Sequence, residues 1–369
     1  NKQHRWVTSD DNRDDTNNGN GNDGNDGVKW VTFGGSYPGM MAAWARLLFP
    51  DLIFASVSNS APVQVVLNFE GYKEWVGQDL AYTRIGGSEA CFARVREGHE
   101  QILQKLLYND DSYDEVAELF QICGGGDSLR HSAKNVDMWV GDGVIEIPAQ
   151  EDDPVCEGDV CNIAKVCEHV LKGIEENKTS MESLAVVASM QTSKLGGGCT
   201  NVDWNSTLDF FSSMDAQEGG IRSWTWQTCN EMGFYQTCLL NTSCPFGRGH
   251  YELSMDLEIC DVAFGVKPDQ VASNVQETLE RYGGWHLNAT RILSVNGDVD
   301  PWSDLAVTDG KGNSNLPTHW VPGASHHFWT HKVQSSDSKE VMAARQFIYD
   351  TVLSWIGADE TAGITVAET

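Results

Sequence analysis

The sequence predicts an α/β fold with a parallel sheet, interrupted by a mainly helical, cysteine-bearing insertion. Three observations carry this. A strand-like run, Val28 to Phe33, turns within a few small residues into an Ala-, Met- and Leu-rich helix from Met40 to Phe49. A second buried strand, Leu52 to Val57, follows at once, so strand, helix, strand forms a βαβ unit. All ten cysteines lie between Cys91 and Cys260, in a stretch whose hydrophobic period is helical.

The first element is β-branched and aromatic, as strands prefer. Between it and the helix stand Gly34, Gly35, Ser36, Tyr37, Pro38 and Gly39. Two backbones that nearly touch need small residues there, and Pro38 suits a first helical turn, where its missing N–H is not needed. Ser36 is left at the apex, in the position of a nucleophile elbow, with the Tyr37 N–H free to act as an oxyanion donor. An ordinary strand-to-helix turn has the same composition, so the elbow needs an acid and a base.

After the second strand comes Ser58-Asn59-Ser60-Ala61-Pro62, and from about residue 67 the character changes. Residues 89–122 read as mostly helical, closed by Gly124 to Gly126, and residues 162–173 and 179–190 as further helices. A covering insertion governs access to a site; a separate helical domain with no role there is the alternative. The strand pattern returns at Arg291 to Val295 and at Thr318 to Val321. A last helix, about Ser338 to Trp355, carries an apolar stripe of Val341, Met342, Ala344, Phe347, Ile348, Val352 and Leu353.

Composition bounds the function. A formal charge of −28 argues against nucleic-acid and anionic-membrane partners. No apolar run approaches the roughly 20 residues that span a bilayer. Sequons at Asn177, Asn205, Asn241 and Asn288 share a span with the cysteines, which predicts disulfides and N-glycans in a secretory-pathway protein. The metal alternative, Cys156, Cys161 and Cys167 with His169, matches no standard zinc spacing, so neither metal nor cofactor is expected. Residues 1–27, rich in Asp, Asn and Gly, read as an acidic, low-complexity linker. The absence of an initiating methionine or signal reads as processing or truncation.

The later strands end in loops that hold Asp300 and His326. The order Ser36, Asp300, His326 is that of α/β-hydrolases. Histidine would take the serine's proton and aspartate would fix its tautomer. Asp298 and Asp304 compete for the acid's place, as turn or cap residues otherwise, and His327 and His331 for the base's. Pro301 restricts Asp300 to an extended conformation.

Several blocks together resemble one serine peptidase family. They are residues 34–46 with Ser58 to Val63, residues 222–229 with 233–238, and Asn296 to Trp302. The family is that of lysosomal Pro-X carboxypeptidase, dipeptidyl peptidase II and thymus-specific serine protease, with a character nearer the thymus-specific branch. The similarity covers residues 28–357 and is weakest across the insertion. It implies an α/β-hydrolase domain at 28–66 and 205–369, with a helical, disulfide-bearing cap at 67–204. It implies the triad Ser36, Asp300 and His326, peptide substrates cut beside proline near a chain end, and a secreted or lysosomal location; a homodimer is a further expectation. Family members also carry the first strands of the sheet and a second oxyanion donor ahead of the elbow. The residues before Val28 are too polar to replace them, so the chain is expected to be N-terminally truncated, with Val31, Phe33 and Ile53 under-covered, and to fold poorly or be inactive as given. The alternatives to an exopeptidase are an inactive member acting as a binding protein, and a lipase or esterase on the same fold.

Overall fold

The computed structural model describes residues 28–108, 111–194, 196, 198–215 and 220–357; the predicted linker at 1–27 lies outside them. The first unit is strand β1 (Trp30–Gly35), helix α1 (Tyr37–Leu48) and strand β2 (Ile53–Asn59). After the helical part, strands β5 (Ile292–Gly297) and β6 (Thr318–Val321) complete a four-stranded parallel sheet of order β1-β2-β5-β6. Two short strands, β3 (Val66–Asn68) and β4 (Gly233–Tyr235), pair separately, also in parallel.

Burial grades across the sheet. All six residues of β5 are buried, as suits an inner parallel strand covered on both faces. β1 pairs only with β2 among the described residues. Its Trp30 and Phe33 are 54% and 45% exposed, while Val31 and Ile53 are half-buried. Val57, Leu293, Val295 and Val321 pack with the buried face of the last helix, α13 (Lys339–Ile356). That helix starts at a serine cap, the Ser338 Oγ accepting from Val341 N–H, and ends at Gly357 in the left-handed conformation.

Between β2 and β5 the chain is mostly helical: α2 (Gly71–Ala81), α3 (Glu89–Tyr108), α4 (Ser112–Leu119), α5 (Gly126–His131) and α6 (Ala133–Asp142). Then follow α7 (Ile163–Glu175), α8 (Ser180–Lys194), α9 (Trp204–Ser212) and α10 (Ile221–Gln227). Past β4 come α11 (Leu253–Phe264) and α12 (Pro268–Tyr282). Residues 89–122, expected to be mostly helical, hold α3 and α4. One correction concerns the glycines after them: Gly126, expected to help close that segment, opens α5. The helical part has its own core, in which Leu80, Val95, Ile102, Ile163, Val170 and Leu184 are buried together. Every cysteine is in a disulfide: Cys91–Cys167, Cys123–Cys199, Cys156–Cys161, Cys229–Cys260 and Cys238–Cys244. The three cysteines weighed as zinc ligands are therefore already bonded to sulfur.

Candidate active site

β1 and α1 meet at Ser36, whose φ of 60° and ψ of −132° lie outside the regions a residue with a side chain prefers. The turn holds because neighbours over-determine it. Ser36 N–H donates to Asn59 O at 2.9 Å, and Ser36 O accepts from Gly39 and Met40 N–H at the start of α1. A Cβ on Gly34 would sit 2.0 Å from Pro38 O, so only glycine lets strand and helix approach this closely. A Cβ on Gly35 would sit 2.8 Å from the ring of His327. Asn59 ties strand ends together, its Nδ2 donating to Gly34 O while its Oδ1 accepts from Trp329 Nε1.

Asp300 follows β5 and is fully buried. Its Oδ1 accepts from Trp302 N–H at 3.0 Å and faces His326 Nδ1 at 2.8 Å. His326 follows β6 and is 5% exposed. With the carboxylate accepting at Nδ1–H, the lone pair stands on Nε2, the nitrogen a general base needs. His326 Nε2 and Asp300 Oδ2 are buried and have no hydrogen-bond partner among the described residues. Asp300 and His326 are thus brought together, whereas no hydrogen bond joins Ser36 Oγ to His326 Nε2. Such a bond is often long before substrate binds. The histidine loop still rests on the elbow, through the His327 ring against Gly35 and His327 N–H donating to Ser60 Oγ at 2.8 Å.

The competing residues have other partners. Asp298 Oδ2 accepts from Tyr82 OH at 3.0 Å, and its Oδ1 accepts from Gly323 N–H. Asp304 pairs with Lys311 Nζ at 2.8 Å. Burial, reinforced by His326 and His331, pushes the His327 imidazole down to about 4, so it is a neutral ring at physiological pH. Tyr37, first in α1, has its OH accepting from Gln227 Nε2 at 2.8 Å. Its N–H is among the helix-start donors that lack an intrahelical partner.

The surroundings contain groups that the sequence reading missed. Tyr72, Gln150 and Trp302 form a polar contact beside the pair, with Trp302 6.2 Å from the His326 ring. Burial, then the Asp300 carboxylate, raises the Tyr72 phenol above its ordinary range, so it stays a neutral donor. Asp79, buried near Asp152, Asp300 and Asp298, is pushed up to about 9, first by burial and then by those carboxylates. Nothing in the local sequence around residues 72, 79 and 150 marks them, because only the folded chain carries them to the strand ends.

The model of the family described as serine carboxypeptidase S28 matches residues 18–348. The chain belongs to that family. It is 33% identical over 334 residues to thymus-specific serine protease of Mus musculus, covering 89% of this chain and 64% of that one. The Homo sapiens protein of the same name is 34% identical over 334 residues, with 89% and 63% covered. Lysosomal Pro-X carboxypeptidase of Bos taurus is 22% identical over 337 residues, with 88% and 63% covered. The chain therefore spans somewhat under two thirds of the length of these relatives. Ser36, Asp300 and His326 all fall within the matched span.

Proposed function

We propose that this chain carries the catalytic apparatus of a serine-type exopeptidase, with Ser36 as nucleophile, His326 as base and Asp300 as orienting acid. The observation that carries the reading is the buried Asp300–His326 pair, at 2.8 Å, on the loops after β5 and β6, beside a strained serine elbow after β1. In the reaction, His326 Nε2 takes the Ser36 proton as Oγ attacks the peptide carbonyl. The Tyr37 N–H donates to the resulting oxyanion. Collapse breaks the C–N bond, and the imidazolium returns the proton to the leaving amine. Water then attacks the acyl-serine by the same route, releasing the second product.

An α/β-hydrolase domain at 28–66 and 205–369, with a cap at 67–204, is the division that accompanies this reading. A core of helical residues that also takes in Cys238, Cys244, Phe246 and Val299 supports a covering body, with an end later in the chain than residue 204. The proline preference rests on the family. A secreted or lysosomal setting agrees with the disulfides, with four exposed sequon asparagines and with relatives named as extracellular or lysosomal carboxypeptidases. No helix among the described residues is long and apolar enough to cross a membrane. Glycans at Asn177, Asn205, Asn241 and Asn288 would appear as mass lost on enzymatic deglycosylation of secreted material, and an unchanged mass would remove them. Homodimer formation is a further expectation, read by light scattering.

The decisive experiment is covalent labelling by a fluorophosphonate, with proline-containing peptides as substrates. The chain should label and hydrolyse, and Ser36→Ala should do neither. A folded parent that fails to label would support the alternative of an inactive binding protein.

A further inference from the structure

Asp300 and His326 stand on separate loops, and a residue belonging to neither joins them, through its side chain on one side and its backbone carbonyl on the other. Gln150 lies between α6 and α7. Its Oε1 accepts from Trp302 Nε1 at 2.7 Å and from Tyr72 OH at 3.2 Å. Its backbone O accepts from His326 N–H at 3.2 Å. Trp302 in turn donates its N–H to Asp300 Oδ1, so one residue touches the neighbours of both members of the pair.

The stretch that carries Gln150 is itself anchored. Asp152 O accepts from Ser325 Oγ at 2.8 Å, next to His326. Asp152 Oδ1 accepts from Ile163 N–H at 2.8 Å, at the start of α7. The chain then closes on itself through Cys156–Cys161, and Lys165 Nζ donates to the carbonyls of Cys156 and Gly158. The loops also meet directly, with Val299 N–H on Ala324 O.

We propose that Gln150 is a positioning residue for the acid–base pair, so that the helical part sets the geometry of the catalytic loops as well as covering them. An amide oxygen has two lone pairs, and both are used here. Removing them leaves the indole N–H of a buried Trp302 and the Tyr72 hydroxyl without their acceptor, which costs more than the bonds themselves contribute. The rings then shift to find other partners, and the Asp300 carboxylate moves with the Trp302 backbone it accepts from. A displacement of about 1 Å at such a distance from the chemistry lowers rates by roughly 100-fold.

The inference rests on the reading of Asp300 and His326 as acid and base, and the test separates the two. In Gln150→Ala, kcat and the fluorophosphonate labelling rate should fall together by roughly 10- to 100-fold, with KM changed little. Gln150→Glu keeps the acceptor oxygens and should recover most of the loss. The far-downfield proton NMR signal of His326 Nδ1–H against Asp300, which does not require turnover, should shift or broaden in Gln150→Ala and be retained in Gln150→Glu. Should Gln150→Ala not fold, Trp302→Phe cuts the same bond from the other side and should show the same decline. An active parent whose rate and downfield signal are untouched in the variant would overturn the positioning role. A perturbed signal in a chain that never labels would uphold positioning and reject the peptidase reading instead.

Discussion

The sheet part of the molecule, residues 28–66 and 290–357, contains no cysteine, whereas the helical part between them contains all ten. The sheet is held by a backbone ladder that spans large sequence separations. Ser56 to Asn59 of β2 pair in register with Ile292 to Val295 of β5. Such pairing fixes both position and direction of each strand, and it places Ser36, Asp300 and His326 at the same, carboxyl, end of the sheet. Helices satisfy their backbone groups internally and leave mutual placement to side chains. The helical part adds covalent ties, and Cys91–Cys167 and Cys123–Cys199 each close a separation of 76 residues. In the chain-entropy model a loop of that length is stabilising by about 4–5 kcal/mol. The comparison teaches that the proposed chemistry is placed where the backbone ladder sets geometry, and that the part beside it is fastened by other means.

The largest expected effect tests the sheet side. Asp300→Asn leaves the histidine in the wrong tautomer and should lower kcat by about 10⁴-fold. Asp298→Asn, which disturbs only the contacts to Tyr82 and Gly323, should lower it by less than about 10-fold. Steady-state hydrolysis of one peptide by both variants decides between them, and the reverse ranking would move the acid to Asp298.

The next effect tests the helical side. Replacing Cys91 and Cys167 together by serine should cost about 2–5 kcal/mol of stability. Hydrogen exchange should quicken across α3, α7 and α8 and stay unchanged in β2 and β5. Equal loss of protection in the sheet would show that the two parts unfold as one, and the contrast drawn above would fail.

The smallest effect sharpens the contrast through pH. Burial, only partly offset by the hydrogen bond from Tyr251, pushes Asp256 up to about 7, and burial pushes Asp152 up to about 6. A carboxyl with a folded value above its unfolded one favours folding in acid. Its contribution is full below about pH 4 and is lost as pH rises through the folded value. His99 acts in the opposite sense. Burial holds it down to about 4, so stability is full above pH 6.5 and is lost as pH falls toward 4. Asp256→Asn should therefore gain stability over the parent between pH 5 and pH 8, by a few degrees in Tm. A Tm difference that is flat or falling over that range would contradict the assignment.

Much of this molecule was legible from residue order. The Gly34-Gly35-Ser36 turn between a β-branched run and an Ala- and Met-rich one is a local steric statement, so β1, α1 and the elbow follow from the chain itself. β2, β5, β6 and α13 were legible for the same reason: the strands are short β-rich runs, and α13 carries a helical apolar stripe. The pairing of cysteines was open, since connectivity depends on which helices pack together.

Sequence by itself determined the elements, the serine elbow and a short set of acids and histidines, because these depend on neighbours along the chain. Only the tertiary structure gives each member of that set its partner. Asp300 stands out in sequence through Pro301, but sequence cannot show that it is buried against His326 Nδ1, that Asp298 accepts from Tyr82 and Gly323, or that Asp304 pairs with Lys311. Gln150 was invisible for the same physical reason. An amide in an insertion carries no signature, and its role exists only where folding brings Trp302, Tyr72 and His326 within hydrogen-bonding reach of it.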